Sequence, residues 1–208
     1  RVADKWYISI AVEVRRDLTL PKTVKFVGVD LGVKDIAITS EGCKFANPRW
    51  IQKSEKKLKR LQRELARRQR ASKRRERTRL RLARQHERVA NQRKDWLHKI
   101  TTHLVRKYDV IALEDLNVRG MVKNHNLAKA ITNVSFGEFN RQIDYKAQMY
   151  GKQIYRVDRF FPSSKTCSVC GCVQEKMPLH IREWTCPDCG AHHDRDINAA
   201  TNLLRQAM

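Results

Sequence analysis

Residues 51–107 hold no glycine and no proline, the two residues that most readily end a helix. Leu58, Leu61 and Leu65 recur at helical spacing, and a second stripe runs Leu80, Ala83, Ala90, Leu97, Ile100, Leu104. Ala71-Ser72 interrupts the pattern, with Ser72 suited to cap a second helix. The segment predicts a long antiparallel helical hairpin, and one helix over 73–107 would reach about 50 Å at 1.5 Å per residue. Between Lys53 and Lys94 it carries 19 Lys/Arg against four Glu. Such a surplus costs stability unless a polyanion neutralises it. Arg60, Arg63, Arg67, Arg70, Arg74, Arg77, Arg81 and Arg84 are spaced to track a phosphate backbone along successive turns, giving affinity without sequence reading.

The whole chain repeats this imbalance, with 44 Lys+Arg against 22 Asp+Glu and a formal net charge of +22. That points to nucleic acid or an anionic membrane surface. No apolar run approaches the ~20 residues of a spanning helix, which argues against a membrane. The chain opens Arg1-Val2-Ala3-Asp4-Lys5 with neither an initiator Met nor an apolar leader, so a fragment or a shortened chain is expected. Its 208 residues suffice for one substantial core and a small satellite domain.

Around the basic segment the pattern changes to strands. Trp6 to Val14 alternate at period two and predict a strand, followed by a linker at Leu18–Pro21. Val24 to Asp30 is an apolar strand ending in a carboxylate. Asp35–Ser40 predicts a second strand, with a turn at Glu41-Gly42 into a short third strand, Cys43–Ala46. Asp109 to Glu114 is another apolar strand ending in a carboxylate. Residues 117–133 read as a polar loop or short helix. A helix is expected over Phe136–Tyr150, with Phe136, Phe139, Ile143 and Ala147 on one face and Gly151 as its cap. Gln153–Asp158 predicts a strand and Asp194–Leu204 a final helix. The fold class expected is α/β, an RNase H-like mixed sheet with an inserted basic helical hairpin and a small module over 161–192.

Asp30 and Glu114 end apolar strands, and Asp196 precedes the last helix. Functional residues gather at the carboxyl ends of parallel strands. Hydrolysis of a phosphodiester by two metal ions needs hard oxygen ligands, which carboxylates converging from separate elements supply. Any one acidic residue after a strand is more often a turn former or helix cap, the role expected of Asp35, Asp109 and Asp115. Trp50, Trp96, Phe160 and Phe161 are available to stack on bases, though core packing is expected for most of them.

Cys167-x-x-Cys170 and Cys186-x-x-Cys189 lie fifteen residues apart, the spacing of a zinc ribbon. A glycine follows the second cysteine of each pair, at Gly171 and Gly190, and lets the backbone turn its amides toward the thiolates. Four thiolates make a closed tetrahedral site, so the expected metal is one structural Zn²⁺. Cys43 and Cys172 are expected to be spare thiols. His192 and His193 could serve as ligands, but four cysteines already suffice.

Three runs together resemble the TnpB family of transposon-encoded, RNA-guided nucleases related to type V CRISPR effectors. They are Val27-Gly28-Val29-Asp30-Leu31-Gly32, Ile111-Ala112-Leu113-Glu114-Asp115-Leu116-Asn117-Val118-Arg119-Gly120-Met121, and Cys189-Gly190 through His193-Asp194-Arg195-Asp196-Ile197-Asn198-Ala199-Ala200. Phe161 to Cys167 and Asn91 to Trp96 are also similar to that family. The resemblance implies that Asp30, Glu114 and Asp196 are RuvC-like catalytic carboxylates holding Mg²⁺ or Mn²⁺. It favours Asp196 over Asp194 by place in the motif. It further implies a transposon-encoded guide RNA, a DNA target, a lid at about 117–135 and a cytoplasmic, nucleoid-associated prokaryotic setting.

The domain division expected is 1–20 as the tail of an N-terminal wedge-like region, 21–50, 108–160 and 193–208 as RuvC-like parts, 51–107 as the basic hairpin, and 161–192 as the ribbon. Partners expected beyond RNA and DNA are the remaining N-terminal region or a longer copy of the protein. The leading reading is the nuclease portion of an RNA-guided DNA endonuclease. The alternative is a non-cleaving RNA- or DNA-binding regulator or accessory fragment. A junction-resolving nuclease needs neither the basic hairpin nor the ribbon.

Overall fold

A computed structural model describes residues 3–13, 17–178 and 180–208. The chain divides into two compact units, one of residues 1–17 and 48–98 and the other of residues 18–47 and 99–208.

The first unit is built on α1 (Trp50–Arg67) and the first part of α2 (Lys73–Lys107). The helices run antiparallel: Gln85 Nε2 donates to Ser54 Oγ at 3.2 Å, Thr78 Oγ1 to Glu64 at 3.2 Å, and Arg75 to the Leu65 carbonyl at 2.6 Å. Ser72 caps α2 as expected, its hydroxyl accepting from Arg75 N at 3.1 Å. Leu58 and Leu61 are buried. The stripe on α2 differs from the expected one over its first turns. Thr78, Gln85 and Val89 are buried, whereas Leu80 and Ala83 are half-buried and Ala90 is exposed. The physical reason is that Thr78 and Gln85 find hydrogen-bond partners on α1, so polar side chains occupy positions that periodicity reserves for apolar ones.

The strand expected over Trp6–Val14 does not form. Residues 6–13 have no regular structure, and Val14 lies outside the described residues. Trp6, Tyr7, Ile8, Ile10 and Val12 are exposed. A strand needs a neighbour to take up its backbone groups, and these residues have no strand partner among the described residues. Lys5 and Tyr7 instead bond to Glu87, at 3.1 and 2.8 Å, and Asp4 pairs with Arg84 at 2.6 Å.

The second unit holds a five-stranded mixed sheet of β1 (Phe26–Asp30), β2 (Asp35–Thr39), β3 (Lys44–Ala46), β4 (Val110–Glu114) and β5 (Gln153–Val157), in the order β3-β2-β1-β4-β5. β1–β2 and β2–β3 are antiparallel, and β1–β4 and β4–β5 are parallel. A hairpin meander leading into parallel strands is the RNase H-like arrangement. Gly42, at φ 85°, closes the turn with its N–H on the Thr39 carbonyl. Val27, Val29, Ile111, Ala112 and Leu113 are fully buried, each contributing about 1–3 kcal/mol by removal from water.

Residues 117–133, which could have been loop, form two short helices, α3 (Val118–Lys123) and α4 (His125–Val134). Asn117 caps the first through Gly120 N at 3.0 Å. α5 (Phe136–Tyr150) buries Phe136, Phe139, Ile143 and Ala147 and ends at Gly151 with φ 67°, as its pattern predicts. The ribbon contributes β6 (Glu183–Thr185) and β7 (His192–Asp194), an antiparallel pair, and β7 runs directly into α6 (Arg195–Gln206). Phe161 packs on the cluster of Ala112, Val157 and Leu203. Phe160, one of the four aromatic residues available to stack on bases, is 85% exposed.

Candidate functional site: strand-end carboxylates beside a four-cysteine centre

β1 and β4 are parallel neighbours with Val29 opposite Leu113, so Asp30 and Glu114 are the next residues in register, side by side at the carboxyl edge. Residues in register on adjacent strands face the same side of the sheet. Asp196 stands in the first turn of α6. That helix lies against β1 because Gly28 has no side chain: a Cβ there would fall 1.8 Å from the Ala200 carbonyl oxygen.

Burial, then the Asp196 charge, then the Glu114 charge push the Asp30 carboxyl up to about 7, against the opposing influence of Arg195 and Arg182. Burial, and secondarily Asp115, also raises Glu114. The three acidic residues named from the sequence are therefore brought into one electrostatic neighbourhood. Arg182 Nη1 lies 3.3 Å from both carboxylate oxygens of Asp196. Asp194 is occupied differently. Its Oδ1 caps α6 by accepting from Asp196 N at 3.0 Å and Ile197 N at 3.1 Å, and Lys44 holds its other oxygen at 2.5 Å. Burial opposes its ionisation, but Lys44 and the cap amides outweigh it and hold the carboxyl below its usual value.

The other acidic residues take structural partners. Asp109 does more than turn the chain, accepting from Thr23 N at 2.7 Å and Val24 N at 2.6 Å and pairing with buried Lys152 at 2.6 Å. Asp115 pairs with Arg159, and Asp35 opens β2.

Cys167, Cys170, Cys186 and Cys189 place their sulfurs within 4.8 Å of one another, and among the described residues they form the group suited to hold a metal. Cys167–Cys189 is 3.7 Å and Cys170–Cys186 is 3.6 Å between sulfurs. A tetrahedron with metal–sulfur bonds of ~2.3 Å has an edge of ~3.8 Å, so the donor set fits zinc. The two knuckles are built alike. Cys167 N donates to Cys172 O and Gly171 N to Cys167 O; Cys186 N donates to Ala191 O and Gly190 N to Cys186 O, all at 2.8–2.9 Å. Gly171 and Gly190 have φ of 82° and 71°, the left-handed turn each knuckle requires. Cys43 and Cys172 stand outside the group, as expected of spare thiols. His192 is exposed, while His193 is buried with Nε2 3.1 Å from Cys167 Sγ.

Burial opposes ionisation of Cys167, but the amides of Cys170 and Val169 and the His193 ring bring its thiol down to about 5. The Cys172 amide favours the Cys170 thiolate, yet burial and the neighbouring sulfurs push that thiol up to about 12.

All eight arginines named for backbone tracking are exposed. Arg81 and Arg84 carry ion pairs with Glu64 and Asp4. A groove along α1 is lined by six basic residues, Lys56, Lys59, Arg60, Arg63, Arg67 and Arg68, and by Glu64. Sequence reasoning missed Arg182 and Arg195 beside the carboxylates, and it missed Gly28, Asn198 and Asn202. The glycine had a visible signal, in standing mid-strand within an apolar run, and Arg195 and Asn198 lie inside a run that carries the family resemblance.

An RNase H-like sheet with carboxylates at adjacent strand ends, followed by a four-cysteine ribbon, defines the class of nuclease-like folds with an appended metal module. Residues 9–125 match the family model OrfB_IS605, described as "Probable transposase", and residues 136–203 match the Cas12f1-like TNB domain. The chain belongs to this family, the TnpB family.

A relative from Streptomyces pristinaespiralis, named "Putative RNA-guided DNA endonuclease", is 41% identical over 206 residues, 99% of this chain and 51% of the relative. InsQ of Escherichia coli K12, of the same description, is 32% identical over 96% of this chain and 53% of its own length. The chain thus spans about half the length of the curated relatives it matches. A Cas12f1 structure, solved with guide RNA and target DNA, shares the fold at a TM-score of 0.65 and 18% identity, over 91% of this chain and 52% of that one. Among the described residues no helix is long and apolar enough to cross a membrane.

Proposed function

We propose that the chain is the nuclease portion of an RNA-guided DNA endonuclease, with Asp30, Glu114 and Asp196 as its catalytic carboxylates. The observation that carries this reading is the register of β1 and β4, which sets Asp30 beside Glu114 at the carboxyl edge, with α6 bringing Asp196 into the same field. The donor chemistry fits hard divalent cations: burial first, and then the neighbouring charges of Asp196 and Glu114, disfavour the ionised form of Asp30, so the group gains from a positive charge. Two bound Mg²⁺ or Mn²⁺ ions would supply an activated water and stabilisation of the leaving oxygen.

The residues themselves do the positioning. β1 and β4 hold Asp30 and Glu114 on rigid strands, and Asp194 caps α6 so that Asp196 is left available. Arg182, beside Asp196, releases that carboxylate when a stronger cation or a substrate phosphate arrives. The four cysteines hold one structural Zn²⁺. Residues 21–50, 108–160 and 193–208 make up the nuclease core, 51–107 the basic hairpin and 161–192 the ribbon. Residues 1–20 continue an N-terminal wedge-like region, residues 117–135 act as a lid, and the partners are a transposon-encoded guide RNA and target DNA. The setting that goes with this function is the nucleoid of a prokaryotic cytoplasm.

The exposed arginine rows of α1 and α2 supply non-specific affinity for phosphate, with the salt dependence such contacts bring. Glu114→Gln tests the reading in the full-length protein with its RNA. Cleavage of target DNA is lost while RNA binding stays within about twofold. Equal loss of both would reduce Glu114 to a structural residue and favour the non-cleaving regulator.

A further inference from the structure

The four-cysteine centre and Asp196 are joined by side chains that neither role requires. Asn198, only 2% exposed, stands two residues after Asp196. Its Nδ2 donates to the Thr166 carbonyl at 2.7 Å, and its Oδ1 accepts from Ser168 N at 2.9 Å. Those two peptide groups flank Cys167, so one amide side chain brackets a metal ligand. Asn202, one turn further along α6 and 3% exposed, donates to the carbonyls of Ser163 at 2.8 Å and Thr166 at 2.6 Å. From the other side His193, three residues before Asp196, sets its Nε2 3.1 Å from the sulfur of Cys167 and leans on Trp184 at 4.9 Å between ring centroids.

We propose that Asn198, Asn202 and His193 form a clamp that makes metal loading at the cysteines and placement of Asp196 one coupled event. Asn198 and Asn202 are positioning residues, acting on the acidic site through α6. The physical reason is that both asparagine side chains are buried, with both polar atoms of Asn198 and the Nδ2 of Asn202 bonded to segment 163–168. When that segment loosens, its carbonyls and the Asn amides lose their partners together, and the first turn of α6 loses its seat. Neither end moves without the other. The catalytic consequence rests on the reading of Asp196 given above; the mechanical coupling does not.

The test uses the zinc-loaded chain and three readouts. Asn198→Ala speeds zinc release to a chromogenic chelator by roughly 10–100-fold, as loss of an outer-shell partner does. Zinc withdrawal from the unaltered chain, or Cys189→Ser, which removes a ligand without altering a clamp residue, speeds hydrogen exchange at the amides of 195–202 at least tenfold and leaves 136–150 unchanged. In the full-length nuclease, Asn198→Ala or Asn202→Ala raises the half-saturating Mg²⁺ concentration and lowers kcat, with KM for DNA unaltered. Exchange at 195–202 that ignores zinc removal would overturn the clamp, as would faster zinc release with unaltered Mg²⁺ dependence in a nuclease whose cleavage Asp196→Ala abolishes. Undiminished cleavage by Asp196→Ala would instead reject the catalytic reading and leave the zinc-linked exchange standing.

Discussion

Gly28 of β1 lies so close beneath Ala200 of α6 that an added Cβ would sit 1.8 Å from the Ala200 carbonyl oxygen and 2.8 Å from Leu204 N. The atoms in the way are backbone, so no side-chain rotation relieves the clash. This contact sets the helix carrying Asp196 against the strand carrying Asp30.

Gly28→Ala is therefore expected to destabilise the chain by about 3 kcal/mol or more, at the upper end for overpacking, because α6 must lift as a body. Urea unfolding measures the loss. A shift below 0.5 kcal/mol would show that α6 tolerates displacement from β1.

Asp30 makes the metal-free protein sensitive to pH. Its carboxyl titrates near 7 in the folded chain against 3.8 in the unfolded one. Across that window the native state holds a proton that the unfolded state has lost, so stability falls as pH rises. Asp30→Asn removes the dependence and stabilises the metal-free chain at pH 8 by about 2–4 kcal/mol, with little effect at pH 4. Thermal denaturation in a chelator, at both pH values, checks the sign.

The ion pair of Lys152 and Asp109 anchors the approach to β1. Lys152 Nζ, with its side chain 1% exposed, reaches Asp109 at 2.6 Å and the Pro21 carbonyl at 2.9 Å. Asp109 also holds Val24, whose φ of 56° is strained for a β-branched residue. Lys152→Met leaves a part-buried carboxylate without its cation and is expected to cost about 3 kcal/mol. Lys152, helped by the two amides and opposed by burial, holds Asp109 below its usual range. The stability this contributes is present above the unfolded value of 3.8 and is lost as pH falls through the lower folded one. Acid unfolding of the variant should accordingly show a shallower loss below pH 4 than the parent.

The cysteines divide into ligands and bystanders. Cys170→Ser is expected to abolish zinc retention and melt the ribbon, whereas Cys172→Ser keeps one zinc per chain. Elemental analysis of the purified variants distinguishes them. Zinc loss in both would place Cys172 in the coordination shell.

The parts of this fold legible in the sequence are those whose cause is local. The knuckles follow from cysteine spacing and Gly171 and Gly190, and α5 from Phe136, Phe139, Ile143 and Ala147 with Gly151 behind them. What escaped is decided between elements. Trp6–Val14 has a strand's alternation but no neighbouring strand among the described residues. Thr78 and Gln85 look like surface residues until α1 supplies their partners. Asp30 and Glu114 are conspicuous as strand-end acids, but their adjacency depends on a parallel register between residues far apart in sequence. Asn198 falls inside a family-like run, but neither it nor Asn202 announces its role, since an asparagine in a helix resembles a solvated one until the segment it bonds is in place.

The central claim is that three carboxylates form a metal-dependent nuclease site, and metal-dependent cleavage of labelled single-stranded DNA tests it most directly. The parent and Asp30→Ala are compared in Mg²⁺ and in chelator, each with and without the N-terminal region and the RNA. The account predicts cutting that requires Mg²⁺ and disappears in Asp30→Ala while RNA binding is retained. Cutting by Asp30→Ala at the parent's rate, or no cutting by the complete assembly despite bound RNA, would contradict it.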